Sequence, residues 1–111
     1  MTLAELKSAL TGLSPPGGAD EFPVAYAAFS GGQAPPFITL VCTDDADFIA
    51  DDSNYLPIRN LDIELYTEDK DEAREAELES VLRGLGLVWS RAETYIPSEK
   101  MIQVTYSVQI I

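Results

Sequence analysis

The sequence contains no histidine and a single cysteine, Cys42, among its 111 residues. Without histidine, Ser-His-Asp and Cys-His catalytic arrangements and imidazole-based zinc sites are excluded. A lone cysteine excludes an intramolecular disulfide, and within an apolar run it is typical of a buried small side chain in a reducing compartment. Any catalysis would depend on carboxylates, so we expect that the chain is not an enzyme and needs no cofactor.

Basic residues are scarce as well, since seven lysines and arginines stand against nineteen acids and the net charge is −12. Proteins that bind nucleic acid by neutralising phosphates, or that attach to anionic membranes, need an excess of lysine and arginine. The apolar runs are far shorter than the roughly 20 residues of a membrane-spanning helix, and no signal-peptide pattern is present. We therefore expect no membrane partner, no sequence-specific nucleic-acid partner and synthesis in the cytosol.

The acids are concentrated in the middle of the chain. Residues 44–79 carry fourteen acids and three bases, a net charge of −11, and residues 44–52 alone contain five aspartates. Hard cations prefer oxygen ligands, but a helix-loop-helix calcium site needs a glycine where Ala50 stands, so we predict no metal site. We predict instead a solvated acidic loop whose two large apolar residues, Phe48 and Ile49, contact a partner.

Two segments have the pattern of amphipathic helices. Thr2 and Glu5 form a capping box ahead of leucines at helical spacing, which predicts a first helix that ends at Gly12. Asp69 predicts the start of a second helix, and Gly86 is expected to end it in the left-handed conformation.

The remaining segments favour strands, and we expect residues 1–111 to form one domain. The predicted strands cover residues 22–29, 37–43, 55–67, 87–96 and 101–110, the last two forming a hairpin. The order is α-β-β-β-α-β-β, which predicts an α+β fold with two helices on one face of a mainly antiparallel five-stranded sheet.

Strict alternation in the third predicted strand places Asp62 and Glu64 on one face. They could form a general acid and base pair, but nothing nearby supplies a nucleophile, so we interpret them as part of a polar sheet face. Arg59 and Arg91 are expected to pair with carboxylates of this chain or of a neighbouring subunit. The predicted partner interface comprises Asp47, Phe48, Ile49, Asp51, Arg59, Asp62, Glu64 and Arg91.

Several short sequence segments, in order along nearly the whole chain, resemble those of a family of small prophage and siphophage tail proteins. The segments are residues 24–26 (VAY), 32–38 (GQAPPFI), 47–51 (DFIAD), 62–67 (DIELYT) and 93–100 (ETYIPSEK). Proteins of this family are similar in size and element order to tail terminators, which join the tail to the head.

The resemblance implies a structural virion protein with no catalytic residues. Its implied form is a ring, usually a hexamer of identical subunits, that caps the tail tube. The implied partners are the major tail tube protein and the head-tail connector. The implied location is the bacterial host cytoplasm during assembly and then the neck of the virion.

Two other functions are compatible with an acidic chain of this size. The first is an acidic inhibitor that mimics DNA and occupies the basic groove of a host enzyme, which requires carboxylates at phosphate-like spacing on one surface. The second, a carboxylate-based metal hydrolase, is the weakest because the chain has no histidine.

Overall fold

The computed structural model describes residues 1–45, 48–50, 54–56 and 58–110. Two helices and seven strands are found in these ranges. The helices are α1 (Leu3–Thr11) and α2 (Glu72–Gly84). The strands are β1 (Val24–Tyr26), β2 (Phe37–Asp45), β3 (Phe48–Ala50), β4 (Asn54–Leu56), β5 (Arg59–Thr67), β6 (Ser90–Ile96) and β7 (Met101–Ile110).

Five strands form the main sheet in the order β1-β2-β5-β7-β6, and β3 pairs with β4 as a separate hairpin. The β1–β2 pair is parallel, and the other pairs of the main sheet are antiparallel. Leucines of both helices pack into one core with apolar residues from one face of this sheet. The predicted α+β fold and its element order are therefore confirmed.

Both helices begin at an acid or hydroxyl cap. The hydroxyl of Thr2 accepts the Glu5 amide, as predicted, and α1 is followed by Gly12. The second cap is Asp71 rather than Asp69, because the Asp71 carboxylate accepts the Arg74 amide at 3.0 Å. The Arg74 guanidinium also lies 3.2 Å from that carboxylate, so the side chain and backbone of one residue both stabilise this cap.

The end of α2 matches the prediction for Gly86. This glycine has a φ of +77°, and its amide donates to the Arg83 carbonyl while the next amide, of Leu87, donates to the Leu82 carbonyl. The two bonds form a Schellman motif, which satisfies carbonyls that would otherwise lack partners at the helix end.

Two predicted strands are shorter in the structure. The segment predicted at residues 22–29 is reduced to β1, because Pro23 precedes it without an amide hydrogen and Ala27 has a φ of +66°. The segment predicted at residues 55–67 contains two strands. Only β5 joins the main sheet, while β4 pairs with β3, which is close in sequence and so costs little loop entropy.

The acidic segment predicted as a loop at residues 44–52 is partly strand. Asp44 and Asp45 pair with β5 at the end of β2, across an irregularity in the ladder that follows Cys42. Phe48 and Ile49 belong to β3. The structure therefore has strands in part of the segment 44–52, which the sequence predicted to be an irregular loop.

The two glycines at the end of α2 give a matched test of this helix end. A Cβ at either Gly84 or Gly86 meets nothing within 4 Å, but only Gly86 has a positive φ. We expect Gly86→Ala to lower the free energy of unfolding by about 1 kcal/mol, since an L side chain strains this conformation. Gly84→Ala should raise it by about 0.5 to 1 kcal/mol through helix propensity. Urea denaturation measures both, and equal effects would contradict the assignment.

Candidate interaction surfaces

One side of the main sheet faces away from the core, and we call it the polar face. Its side chains come from alternate positions of four strands that the register places in line. They are Thr39 and Val41 of β2, Asp62, Glu64 and Tyr66 of β5, Gln103, Thr105, Ser107 and Gln109 of β7, and Ser90, Ala92 and Thr94 of β6. Hydroxyl and amide groups dominate this surface.

Glu64 lies at the centre of the polar face and is partly buried. One of its oxygens accepts the Thr39 hydroxyl at 2.8 Å, and the other accepts the Gln103 amide at 3.1 Å. The Tyr66 hydroxyl lies 3.5 Å from the first oxygen and accepts a second bond from Gln103. Desolvation by burial and the Glu64 charge raise the pKa of Tyr66 above its ordinary value.

Asp62 accepts the Ser107 hydroxyl at 2.7 Å on the same face. Each of the two carboxylates is therefore held by neutral donors from a neighbouring strand. This arrangement fits the predicted polar sheet face.

An aromatic cluster borders the polar face at the β1 end of the sheet. The Phe37 and Tyr66 rings stack with centroids 4.7 Å apart, and Phe29 packs edge to face on Phe37 at 5.4 Å. Phe37 is therefore buried although it points away from the helices.

The opposite side of the sheet carries a group of charged residues between α2 and β6. We call Lys70, Glu75, Glu79, Arg91 and Glu93 the ion cluster. Glu75 is 5% exposed, and both Lys70 and Arg91 form ion pairs with it. Lys70 also lies 2.6 Å from Glu93, and Arg91 lies 3.2 Å from the same carboxylate. A buried carboxylate is thus compensated by two cations.

The ion cluster shifts the protonation of its members. Hydrogen bonds to Glu75 and Glu93 raise the pKa of Lys70, and the Lys70 ammonium lowers the pKa of Glu93. Burial raises the pKa of Tyr106, whose hydroxyl donates to Glu79 at 2.7 Å. Hydrogen bonds to Tyr106 and Glu75 raise the pKa of Arg91.

Sequence reasoning missed Glu75, although a signal was present. Glu75, Leu78 and Leu82 follow at spacings of three and four residues, which is the spacing of one helix face. All three are buried. An acid on an apolar stripe needs a cation nearby, and the sequence offered Arg91 as an unassigned base on a strand. Arg91 pairs within its own chain, one of the two possibilities left open for it.

A depression of about 790 Å³ lies at one end of the sheet. It arises where β7 continues to Ile110, because β6 begins only at Ser90, opposite Ser107. Asp62, Gln109 and Ser107 line one side, and the segment 86–89 lines the other. Val88 in that segment is 88% exposed.

The residues predicted for the partner interface do not form one surface. Asp62 and Glu64 lie on the polar face, whereas Arg91 lies on the helix side of the sheet. Arg59 begins β5 and is exposed. Phe48 and Ile49 belong to β3, and Asp47 and Asp51 lie outside the described residues.

Within the described ranges, no group of three or more histidine, cysteine, aspartate or glutamate residues is arranged to hold a metal ion. In the same part of the chain, no helix combines the length and apolar character that crossing a membrane requires.

No family model matches the chain, and no curated protein matches it. Among solved structures, the chain is similar to a chain in the virion of a native gene transfer agent (GTA) particle. The TM-score is 0.60 and the sequence identity 16%, over 78% of this chain and 75% of that chain. At this identity the likeness shows that the two chains share a fold.

The ion cluster predicts a measurable coupling between Lys70 and Glu93. We expect Lys70→Gln to raise the pKa of Glu93 toward its ordinary value of 4.5, because the ammonium is the main cause of the lowered value. Carbon-detected NMR of the side-chain carboxyl during a pH titration measures this. Lys7→Gln, an exposed change in α1, should leave the Glu93 titration unchanged.

The same coupling sets a pH dependence of stability. The folded-state pKa of Glu93 lies below 4.5, so its contribution is present above that pH and is lost as the pH falls through the lowered value. Lys70→Gln should therefore lose less stability on acidification than the unchanged protein. A Glu93 pKa that does not move in this variant would show that the ion pair is not formed in solution.

Proposed function

We propose that this chain is a structural subunit of a phage-type virion, specifically a tail terminator. Six copies form a ring on the last ring of the tail tube, stop tube growth and present a surface to the head-tail connector. The observation that carries the proposal is the fold shared with a chain of a gene transfer agent virion. The sequence segments that resemble small phage tail proteins support the proposal independently of the fold.

The surfaces of the chain suit an assembly subunit. A closed ring built by head-to-tail contacts needs two different patches on each subunit. The polar face and the helix side of the sheet differ in chemistry, since one carries neutral donors around two carboxylates and the other carries an ion cluster. Phe48 and Ile49, beside the aspartates of residues 44–52, are the predicted partner contact.

The negative charge also suits a neck component. DNA must slide through a tail without adhering, and an anionic wall repels phosphates. The chain carries −12 overall, with most of it between residues 44 and 79. A ring of six such subunits would surround its channel with excess negative charge wherever the middle of the chain faces the lumen.

The structure favours this role over a DNA mimic. A mimic needs free carboxylates at phosphate-like spacing, but many acids of the described residues have partners in the chain. These include Asp62, Glu64, Asp71, Glu75, Glu77, Glu79 and Glu93. Carboxylates held by internal donors and cations are poorly placed to replace phosphates in a basic groove.

Mixing the purified chain with its cognate tail tube protein tests the proposal. Negative-stain electron microscopy should show a ring of this chain on one end of each tube, and tubes should stop growing once it is added. Tubes that elongate unchanged, with no ring of the chain in any preparation, would contradict the proposal. Salt-sensitive binding to a basic nuclease or repressor would favour the DNA mimic.

A pair of variants tests the predicted partner contact. We expect Phe48→Ser with Ile49→Ser to reduce capping of tubes severalfold, because burial of two large apolar side chains is lost. Val88→Ser is the control, since Val88 is exposed, apolar and outside the predicted interface. The measurement is the fraction of tube ends that carry a ring. Equal capping by the two variants would show that the partner binds elsewhere.

A further inference from the structure

The edge of the main sheet at β6 is open in the described part of the chain. Along one side β6 pairs with β7, and no other described strand lies along its second side. Six of its seven residues are exposed, and it contains no proline or glycine. Such an edge presents backbone donors and acceptors to any strand that approaches, and natural proteins usually protect it.

The side chains of β6 complement a second copy of the same strand. If two β6 strands run antiparallel about a two-fold axis at Ala92, Arg91 of each copy lies opposite Glu93 of the other. Both side chains point to the helix side and remain more than a third exposed. The Arg91 guanidinium already contacts Glu75, Glu79 and Glu93 of its own chain, and with five donors it can bind a further carboxylate.

The same register also pairs the residues that flank Arg91 and Glu93. Ser90 lies opposite Thr94 on the polar face. Tyr95 is 57% exposed in the single chain and lies opposite the position of Trp89, which precedes β6 and already packs edge to face on Tyr106. Cross-strand pairs of opposite charge stabilise antiparallel strands.

Neighbouring registers are disfavoured by charge. Moving the axis by one residue in either direction places Arg91 opposite Arg91 or Glu93 opposite Glu93. Like charges directly opposite destabilise a strand pair. Moving the axis by half a residue pairs each residue of β6 with one that points to the other side of its own sheet. The helix side of one sheet would then be continuous with the polar face of the other.

We propose that the β6 edge binds β6 of a second copy, which forms a two-fold dimer of the free chain with Ala92 on the axis. The dimer joins two five-stranded sheets into one and covers the exposed edge before any larger assembly forms. It does not depend on the proposed function, since it concerns the free protein.

Two matched double variants test the register. Ser90→Lys with Thr94→Lys places lysine opposite lysine twice, whereas Ser90→Glu with Thr94→Lys places lysine opposite glutamate twice. Both positions are exposed, and the structure gives neither side chain a hydrogen bond within the described chain. We expect the first variant to raise the dimer dissociation constant roughly tenfold, and the second to keep or lower it.

Light scattering after size-exclusion chromatography, over a wide range of concentrations, measures the association. The unchanged protein should approach twice its chain mass of 12.1 kDa as the concentration rises. The Lys/Lys variant removes net negative charge, so a loss of association in it cannot be general repulsion between acidic chains. Circular dichroism checks that both variants remain folded.

A monomer at every concentration would overturn the proposal, as would equal association of the two double variants. Free hexamers without dimers would overturn it too while supporting a ring. Capping of tail tubes is measured separately, so that a failure of the dimer and a failure of the terminator role give different results.

Discussion

The strict alternation of β5 is the constraint on which the rest of the structure depends. Leu61, Ile63 and Leu65 are at most 1% exposed and face the helices, while the residues between them face away. Because β5 lies between β2 and β7, its register sets which residues of both neighbours enter the core. A slip of one residue would bury Asp62 and Glu64, so the position of both sheet faces follows from this strand.

The ion cluster fixes the position of β6 at the edge of the sheet. β6 is the outermost strand of its side and contributes little apolar surface, so packing alone holds it weakly. Glu75 enters the core side of α2, and Arg91 reaches it from β6 while Lys70 reaches it from the segment before the helix. Leaving Glu75 buried without these cations would be costly, so helix and edge strand hold each other in place.

Local pattern predicted much of the fold, and contacts between distant residues explain the errors. The Thr2 cap, the left-handed Gly86 and the alternation in β5 are local signals, and the structure has all three. The β3–β4 hairpin was missed because only the pairing of β4 with β3 separates β4 from β5. The Asp71 cap was missed because Asp69 has a glutamate, Glu72, three residues further on, as a capping box requires, whereas Asp71 has Arg74 at that position. The partners of Glu75 depend on the fold that brings β6 beside α2.

The carboxylates that give the chain its negative charge are thus of two kinds. Some are bonded to other groups of the same chain, and the rest are available to solvent or to another protein. The proposed structural role in a virion neck would use both, because the first stabilise the subunit and the second would repel DNA. Gold labelling of this chain on phage-type particles from cells that encode it tests that role most directly. The account predicts label at a single position, the junction of tail and head. Label along the tail, or its absence from every particle, would contradict it.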